Sequence, residues 1–273
     1  MYRIRPHIMG LGLCILLGLI LFFCNTPSGT TYTGWDNTHP EYNLYNLTIR
    51  YLNGAWAAYQ GTGAPAAQSQ LAELPRIPFI LLLYILLPVT YVRYAYFFLL
   101  VILGMCFMYF FLHHFFQKIL CEKEVNPIFP TVGALFYTLN IVSIQQFFIN
   151  FEMYAVLFAF YPLVLLSIDT YISKPTRRNF LFVLFSQFLF IPVGFVPTVA
   201  YIGFAYMCIY TFFSAHALSS SFIVGIKKMI QIALIIVVIH VYWIIPNIHY
   251  ALHASSAVEK SRSNQLFVQE ITY

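Results

Sequence analysis

Long runs of apolar residues, separated by short polar turns, dominate the chain. The runs cover residues 8–25, 94–116, 129–149, 154–170, 179–195, 198–214 and 229–249. Most of them reach the length of about 17–25 residues that an α-helix needs to cross the hydrocarbon core of a bilayer. A helix also bonds its own backbone polar groups, which lipid cannot do. The pattern therefore predicts an all-α, polytopic transmembrane helical bundle with about seven spans.

A shorter apolar run, residues 77–87, is ambiguous. It has 11 residues and is bounded by Pro75, Pro78 and Pro88. Apolar runs of about 10–14 residues are more often re-entrant, interfacial or buried than spanning. The length alone does not decide whether this run crosses the membrane.

The distribution of basic residues favours a run that dips into the membrane without crossing it. With a cytoplasmic N-terminus, this topology places nine of the 14 basic residues inside, namely Arg3, Arg5, Lys118, Lys123, Lys174, Arg177, Arg178, Lys227 and Lys228. The other five, Arg50, Arg76, Arg93, Lys260 and Arg262, are then outside. If residues 77–87 crossed, the two counts would be exchanged, against the positive-inside tendency of membrane proteins.

We therefore expect residues 1–273 to form a single membrane domain in the cell membrane, with a first span at 8–25. Residues 26–93 are an outer loop with an amphipathic helix and a re-entrant segment, and residues 94–249 form a six-span bundle. Residues 250–273 are an extracytoplasmic tail. We interpret the first span as a retained signal anchor, because its end, Leu21–Cys24, lacks the small residues of a cleavage site. We also expect the chain to be the N-terminal part of a longer protein.

Composition supports the membrane assignment and excludes an ordinary soluble domain and a nucleic-acid-binding protein. Sixty per cent of the residues are hydrophobic and 8% are charged, whereas a soluble domain has about 25% charged residues. The net charge of +5 is too small and scattered for a nucleic-acid-binding surface. None of the five cysteines has the spacing of a disulfide framework or a metal site.

The most polar part of the predicted outer loop is residues 31–41, which contain Asp36, His39 and Glu41. Thr38 and Glu41 have the spacing of a capping box, which predicts that a helix begins here. Apolar residues then recur at helical spacing from Leu44 to Tyr59. This pattern is typical of an amphipathic helix that lies flat on a membrane surface.

The order of these features resembles the GT-C superfamily of polytopic membrane glycosyltransferases, and is most similar to its bacterial YfhO-like and arabinofuranosyltransferase-like branches. The resemblance depends on the acidic outer loop with Gly34-Trp35-Asp36, on the amphipathic and re-entrant segments that follow, and on the span that begins with Thr131-Val132-Gly133-Ala134. It covers most of the chain in outline, but only residues 31–60 and 129–165 in local pattern.

The resemblance implies a polyprenyl-phosphate-linked sugar donor, a glycan or lipid acceptor and transfer on the outer face of the membrane. It also implies that the acid in the first outer loop acts as a base or helps to hold a metal, and this role falls on Asp36. Glu41 lies where some relatives have a second acid. Because the five-residue separation is not a DxD pair, no residue is assigned to a metal. A divalent cation such as Mg²⁺ or Mn²⁺ stays open as a cofactor.

The residues themselves are compatible with such chemistry. Sugar transfer needs a base for the acceptor hydroxyl and cationic groups for the leaving phosphate. Asp36 is the candidate base, with Glu41 as the second candidate catalytic acid. Candidate substrate-binding residues are His39, Arg76, Arg93 and Glu152; the last of these could meet Asp36 or pair with Arg93. For each acid a structural role, as a helix cap or a solvated carboxylate, stays open.

Two rival functions also remain open. The first is a multi-pass transporter or lipid flippase, although His240 is the only ionisable residue well within a predicted span, and ion-coupled transport usually uses such residues. The second is a non-catalytic scaffold subunit. His249 and His253 are four residues apart, but without a third ligand they are weak candidates for a metal site.

Overall fold

The computed structural model describes residues 5–33, 42–57, 64–65, 70–120, 125–149 and 151–253. Asp36, His39 and Glu41 lie outside these residues. The helices are α1 (Arg5–Cys24), α2 (Leu44–Leu52), α3 (Ile77–Leu86), α4 (Val89–Leu120), α5 (Ile128–Leu139), α6 (Ile141–Ile149), α7 (Glu152–Ser173), α8 (Arg177–Phe190), α9 (Pro197–Ser219) and α10 (Phe222–His253). Two 3₁₀ helices cover Gln70–Arg76 and Ile191–Phe195, and two short strands, β1 (Trp56–Ala57) and β2 (Ala64–Pro65), pair antiparallel.

The prediction of a polytopic helical membrane protein is confirmed. Within the described residues, six helices are long and apolar enough to cross a membrane, namely α1, α4, α7, α8 with its 3₁₀ extension, α9 and α10. The pair α5 and α6 brings this number to seven if the two helices together form one span.

Side-chain contacts show which helix ends lie together. His7, near the start of α1, bonds to Tyr109 in the second half of α4. Asp169, near the end of α7, bonds to Lys118 at the end of α4 and to Ser214 near the end of α9. We call this side of the bundle the Asp169 end.

The opposite side, which we call the Arg93 end, contains the starts of α4, α7 and α9 and the end of α10. Arg93 at the start of α4 pairs with Glu152 at the start of α7. Tyr201 at the start of α9 bonds to Asn247 near the end of α10. Because α4 begins at the end of the bundle where α1 finishes, the two helices run in opposite directions and the segment between them starts and finishes on the same side.

The sequence predicted one continuous span at 129–149. In the structure this range consists of two helices, α5 and α6, which meet at Asn140 with a bend of 51°. The side chain of Asn140 replaces the helical bonds that are lost at the bend. Its amide donates to the carbonyls of Phe136 and Tyr137, and its Oδ1 accepts from the backbone N–H groups of Val142 and Ser143. Such a cap stabilises a helix start, so two helices form where apolarity alone predicted one.

The segment before α4 folds back into the bundle. The 3₁₀ helix Gln70–Arg76 packs against the 3₁₀ helix Ile191–Phe195, and Gly194 lets Trp243 and Ala72 approach closely. Helix α3 has ten residues, and its length of about 15 Å is half of a hydrocarbon core of about 30 Å. Helix α3 alone is therefore too short to cross, and the entry of residues 77–87 into the membrane stays a prediction.

Helix α2 has the predicted amphipathic pattern over a shorter range. Asn43 caps its start by accepting a bond from the backbone N–H of Asn46 at 3.1 Å. Leu47 and Tyr51 are buried against the bundle, whereas Tyr45 is 73% exposed and Leu52 62% exposed. An exposed apolar face at this position is typical of a helix at the membrane surface.

Two helices extend beyond the predicted spans. Helix α4 begins at Val89, so Arg93 lies in its second turn and not in the loop, and α10 runs from Phe222 to His253. Helices α4 and α7 pack closely because Gly104 has no side chain, and a Cβ there would overlap the ring of Phe158. Small residues allow such approaches between membrane helices.

Candidate functional site

A buried ion pair lies at the Arg93 end of the bundle. Arg93 of α4 is 0% exposed and pairs with Glu152 of α7, which is 7% exposed. Ionisable groups at membrane depth are costly unless they are paired. Of the two partners that the sequence proposed for Glu152, the structure shows Arg93.

The segment after α1 covers this ion pair. The ring of Tyr32 stacks on that of Tyr94 at 4.8 Å, and the guanidinium carbon of Arg93 lies 6.0 Å from the Tyr32 ring centre. The Tyr32 hydroxyl donates to the carbonyl of Phe147 at 3.2 Å. Burial raises the pKa of this hydroxyl above its ordinary value, so it keeps its proton and remains a donor.

The two described ends of the acidic segment 34–41 meet here. The hydroxyl of Tyr42, which follows the segment, donates to the carbonyl oxygen of Tyr32 at 2.7 Å. Thr30, which precedes it, bonds to the hydroxyl of Tyr94 at 2.8 Å. The segment that contains Asp36 and Glu41 therefore leaves and rejoins the described chain beside the Arg93–Glu152 pair.

A second ion pair occupies the same end. Arg76 bonds to Glu73 within the first 3₁₀ helix, and both side chains are 2% exposed. The guanidinium carbon of Arg76 lies 4.9 Å from the ring centre of Tyr96. Tyr96 is next to Phe97, and the guanidinium carbon of Arg93 lies 5.1 Å from the ring centre of Phe97. Glu73 was not predicted as a site residue, although its spacing of three residues from Arg76 is typical of a helical ion pair.

Three of the six predicted site residues are thus brought together. Arg76, Arg93 and Glu152 lie at one end of the bundle, around the adjacent rings of Tyr96 and Phe97. The other three, Asp36, His39 and Glu41, belong to the interval outside the described residues, and their predicted roles stay predictions.

A second polar cluster, at the Asp169 end, was not predicted. Asp169 is 1% exposed and accepts bonds from His114 Nε2 and Lys118 Nζ, both at 2.8 Å, and from the hydroxyl of Ser214. His114 and Lys118 are four residues apart on α4, so they lie on one helix face. The four-residue spacing of these two side chains, together with an acid near the end of another predicted span, is the sequence signal that could have revealed the cluster.

The buried His240 is held as a neutral side chain. Trp243 Nε1 donates to its Nδ1 at 3.1 Å, so Nδ1 is an acceptor. Its Nε2 then carries the proton and bonds to Gln187 Oε1 at 3.2 Å. Because both nitrogens of a charged histidine are donors, charging His240 would break the bond from Trp243. This arrangement is typical of a structural histidine and disfavours its use in proton-coupled transport.

No group of three or more His, Cys, Asp or Glu side chains converges within the part of the chain that the structure describes. The rings of His249 and His253 lie 4.7 Å apart at the end of α10, as expected for residues four apart on one helix face. No protein-family model, curated protein or solved structure matches the chain.

Proposed function

We propose that this protein is a membrane glycosyltransferase of the GT-C type, which moves a sugar from a polyprenyl-phosphate-linked donor to an extracytoplasmic acceptor. The observation that supports it most is the bond from the Tyr42 hydroxyl to the Tyr32 carbonyl. This bond closes the acidic segment into a loop that starts and ends beside a buried ion pair at one end of a membrane bundle. A lipid-linked substrate presents its phosphate at that depth, near the headgroups.

The distribution of basic residues supports an extracytoplasmic position for the Arg93 end. Lys118, Lys174 and Lys227 lie at or near helix ends on the Asp169 side, and cytoplasmic loops are enriched in Lys and Arg. We therefore assign the N-terminus and the Asp169 end to the cytoplasm. The acidic loop and the end of α10 then face outward.

The proposed reaction is a single displacement at the anomeric carbon of the donor sugar. The acceptor hydroxyl oxygen forms the new bond to this carbon, and the bond from the carbon to the phosphate oxygen breaks. The carboxylate of Asp36 takes the proton of the acceptor hydroxyl, and polyprenyl phosphate leaves with the bonding electron pair. Proton transfer of this kind typically contributes about 10²–10⁴-fold to a rate.

The arginines are given different roles from the acid. Arg93 is fully buried and paired, so we propose that it positions the ends of the loop through Tyr32. Arg76 is held in the same way by Glu73.

The test is sugar transfer by the purified protein in proteoliposomes that contain polyprenyl-phosphate-linked hexoses and pentoses with a radioactive label. We expect release of polyprenyl phosphate, and loss of that release by about 10²-fold or more in Asp36→Asn, because the base is removed. Insertion and abundance of the variant should be unchanged.

Glu122→Gln is the matched control, because it removes an acid that follows α4 in the sequence and is far along the chain from Asp36, and it should keep full activity. If Asp36→Asn retains full transfer activity, the assignment of the base is wrong. If the protein instead moves the labelled lipid across the bilayer without cleaving it, it is a flippase.

A further inference from the structure

A large cavity lies between α1, α4 and the bend of α5 and α6. Its volume is about 610 Å³, within the range of about 300–1,000 Å³ that is typical of ligand pockets. Its inner wall is formed by Phe97, Phe98 and Val101 of α4, and its outer wall by Leu139 and Ile144 on either side of the bend. The 51° bend at Asn140 therefore shapes one wall of the cavity.

The cavity opens in two directions. Leu139 and Ile144 are 48% and 51% exposed, so one opening faces the lipid-facing side of the bundle. Asn25 and Thr30, which are exposed, line the cavity beyond the end of α1, so the other opening faces the headgroup level. Exposed residues thus line the cavity both beyond the end of α1 and at the bend between α5 and α6.

The hydroxyl groups in the cavity wall donate their protons in hydrogen bonds within the protein. Thr30 donates to the carbonyl of Pro27 at 2.7 Å, so in its 2.8 Å contact with Tyr94 the tyrosine is the donor. Tyr32 donates to the carbonyl of Phe147, and Thr138 donates to the carbonyl of Ala134. A phosphate or sugar inside the cavity would find none of these four hydroxyl protons available.

This chemistry limits what can fill the space. An ordered water needs about 2–4 polar partners, which the apolar inner wall around Val101 does not supply. An empty space of this size would forfeit the dispersion contacts of its aromatic lining. A hydrocarbon chain from the surrounding bilayer satisfies both requirements, and its headgroup can stay outside near Asn25 and Thr30.

We propose that this cavity is a binding site for one acyl chain of a membrane phospholipid. The site follows from the cavity and its membrane setting, and it does not depend on sugar transfer. A phospholipid is chosen because its chains are the bulk solvent at the lateral opening, so mass action favours them over rarer lipids.

The experiment uses the full chain in detergent micelles with a phosphatidylglycerol whose acyl chain carries a photoactivatable diazirine. After illumination, labelled peptides are identified by mass spectrometry at increasing probe concentrations. We expect saturable labelling in the peptides that contain Phe98 and Ile144. Unlabelled phosphatidylglycerol should compete with it.

Ile144→Trp places a larger side chain at the cavity and should lower the affinity for the probe by about tenfold, which corresponds to the contacts of a few methylene groups. Val142→Trp is the matched control: Val142 is 63% exposed on the same helix and does not line the cavity. Both variants change exposed residues, so both should fold.

Labelling that does not saturate, or that Ile144→Trp and Val142→Trp reduce equally, would overturn the proposal. Competition by polyprenyl phosphate but not by phosphatidylglycerol would overturn it too, because the occupant would then be an isoprenoid chain. None of these results depends on activity, so failure here is distinct from failure of the proposed glycosyltransferase function.

Discussion

Replacing Asp169 by asparagine should destabilise the bundle because three helices are joined through this one carboxylate. Asp169 is 1% exposed and accepts bonds from His114 and Lys118 of α4 and from Ser214 of α9. An asparagine side chain at this position would lack the charge, and its NH₂ group would face donors where an oxygen now accepts. The change has nearly the same volume, so packing is preserved.

The expected cost follows from the exposure of each partner. Ser214 is buried, and a hydrogen bond to a buried charge is worth about 1.5–3 kcal/mol. The side chains of His114 and Lys118 are 29% and 28% exposed, so water offsets much of their loss and each adds a few tenths to about 1 kcal/mol. We expect a total loss of about 2–3 kcal/mol in the free energy of unfolding, because the remaining oxygen of the asparagine still accepts one bond.

The assay is reversible unfolding in mixed micelles as the fraction of denaturing detergent increases. A double-mutant cycle with Lys118→Met separates the pair from the rest of the cluster, and the cost of both changes together should be less than the sum of the single costs. Ser173→Ala, at the exposed end of the same helix, should change the free energy by less than about 0.5 kcal/mol. A similarly small effect of Asp169→Asn would refute this reasoning.

Three further predictions concern the bend, the helix contacts and the topology. Asn140→Ala should cost about 1–2 kcal/mol in the same unfolding assay, because it removes the cap of α6. Gly104→Val should reduce the yield of folded protein strongly, because the new side chain would overlap Phe158 and separate α4 from α7. Single cysteines that replace Ser28 and Ser173, placed in a cysteine-free background, should react with a membrane-impermeant maleimide from opposite sides of the membrane.

Each of these predictions has a control or a contrary outcome. Gln145→Ala, on the exposed face of α6, should leave stability unchanged where Asn140→Ala does not. Gly12→Val should be tolerated, since a Cβ there meets no atom within 4 Å. Labelling of Ser28→Cys and Ser173→Cys from the same side would contradict the assigned topology, and with it the outward position of the acidic loop.

The lengths of the apolar runs predicted most of the fold. Lipid cannot bond to backbone groups, so any apolar run of about 20 residues must be a helix wherever it packs. The same reasoning could not predict the bend between α5 and α6, because the apolar run continues through it. The bend depends on bonds that the Asn140 side chain makes in a local geometry.

The candidate site was only partly predictable. The rarity of charge in the chain identified Arg76, Arg93 and Glu152, since an ionisable residue near a span needs a reason to be there. The charge of each was readable from its residue type, but the sequence left the partner of Glu152 open between Asp36 and Arg93. The pair of Arg93 with Glu152 joins residues 59 positions apart, as Asp169 joins His114 across 55, and no local pattern encodes such distances.

By itself, the sequence determined that the chain is a polytopic helical membrane protein, because solvation by lipid depends on composition and run length. It also determined the residues that can carry charge at the membrane surface. Tertiary structure alone decided that α3 and the preceding 3₁₀ helix pack back into the bundle, that Arg93 is ion-paired with Glu152, and that a cavity lies beside the bend at Asn140. The physical reason is that pairing and cavity shape depend on contacts between distant segments, which form only when the helices pack.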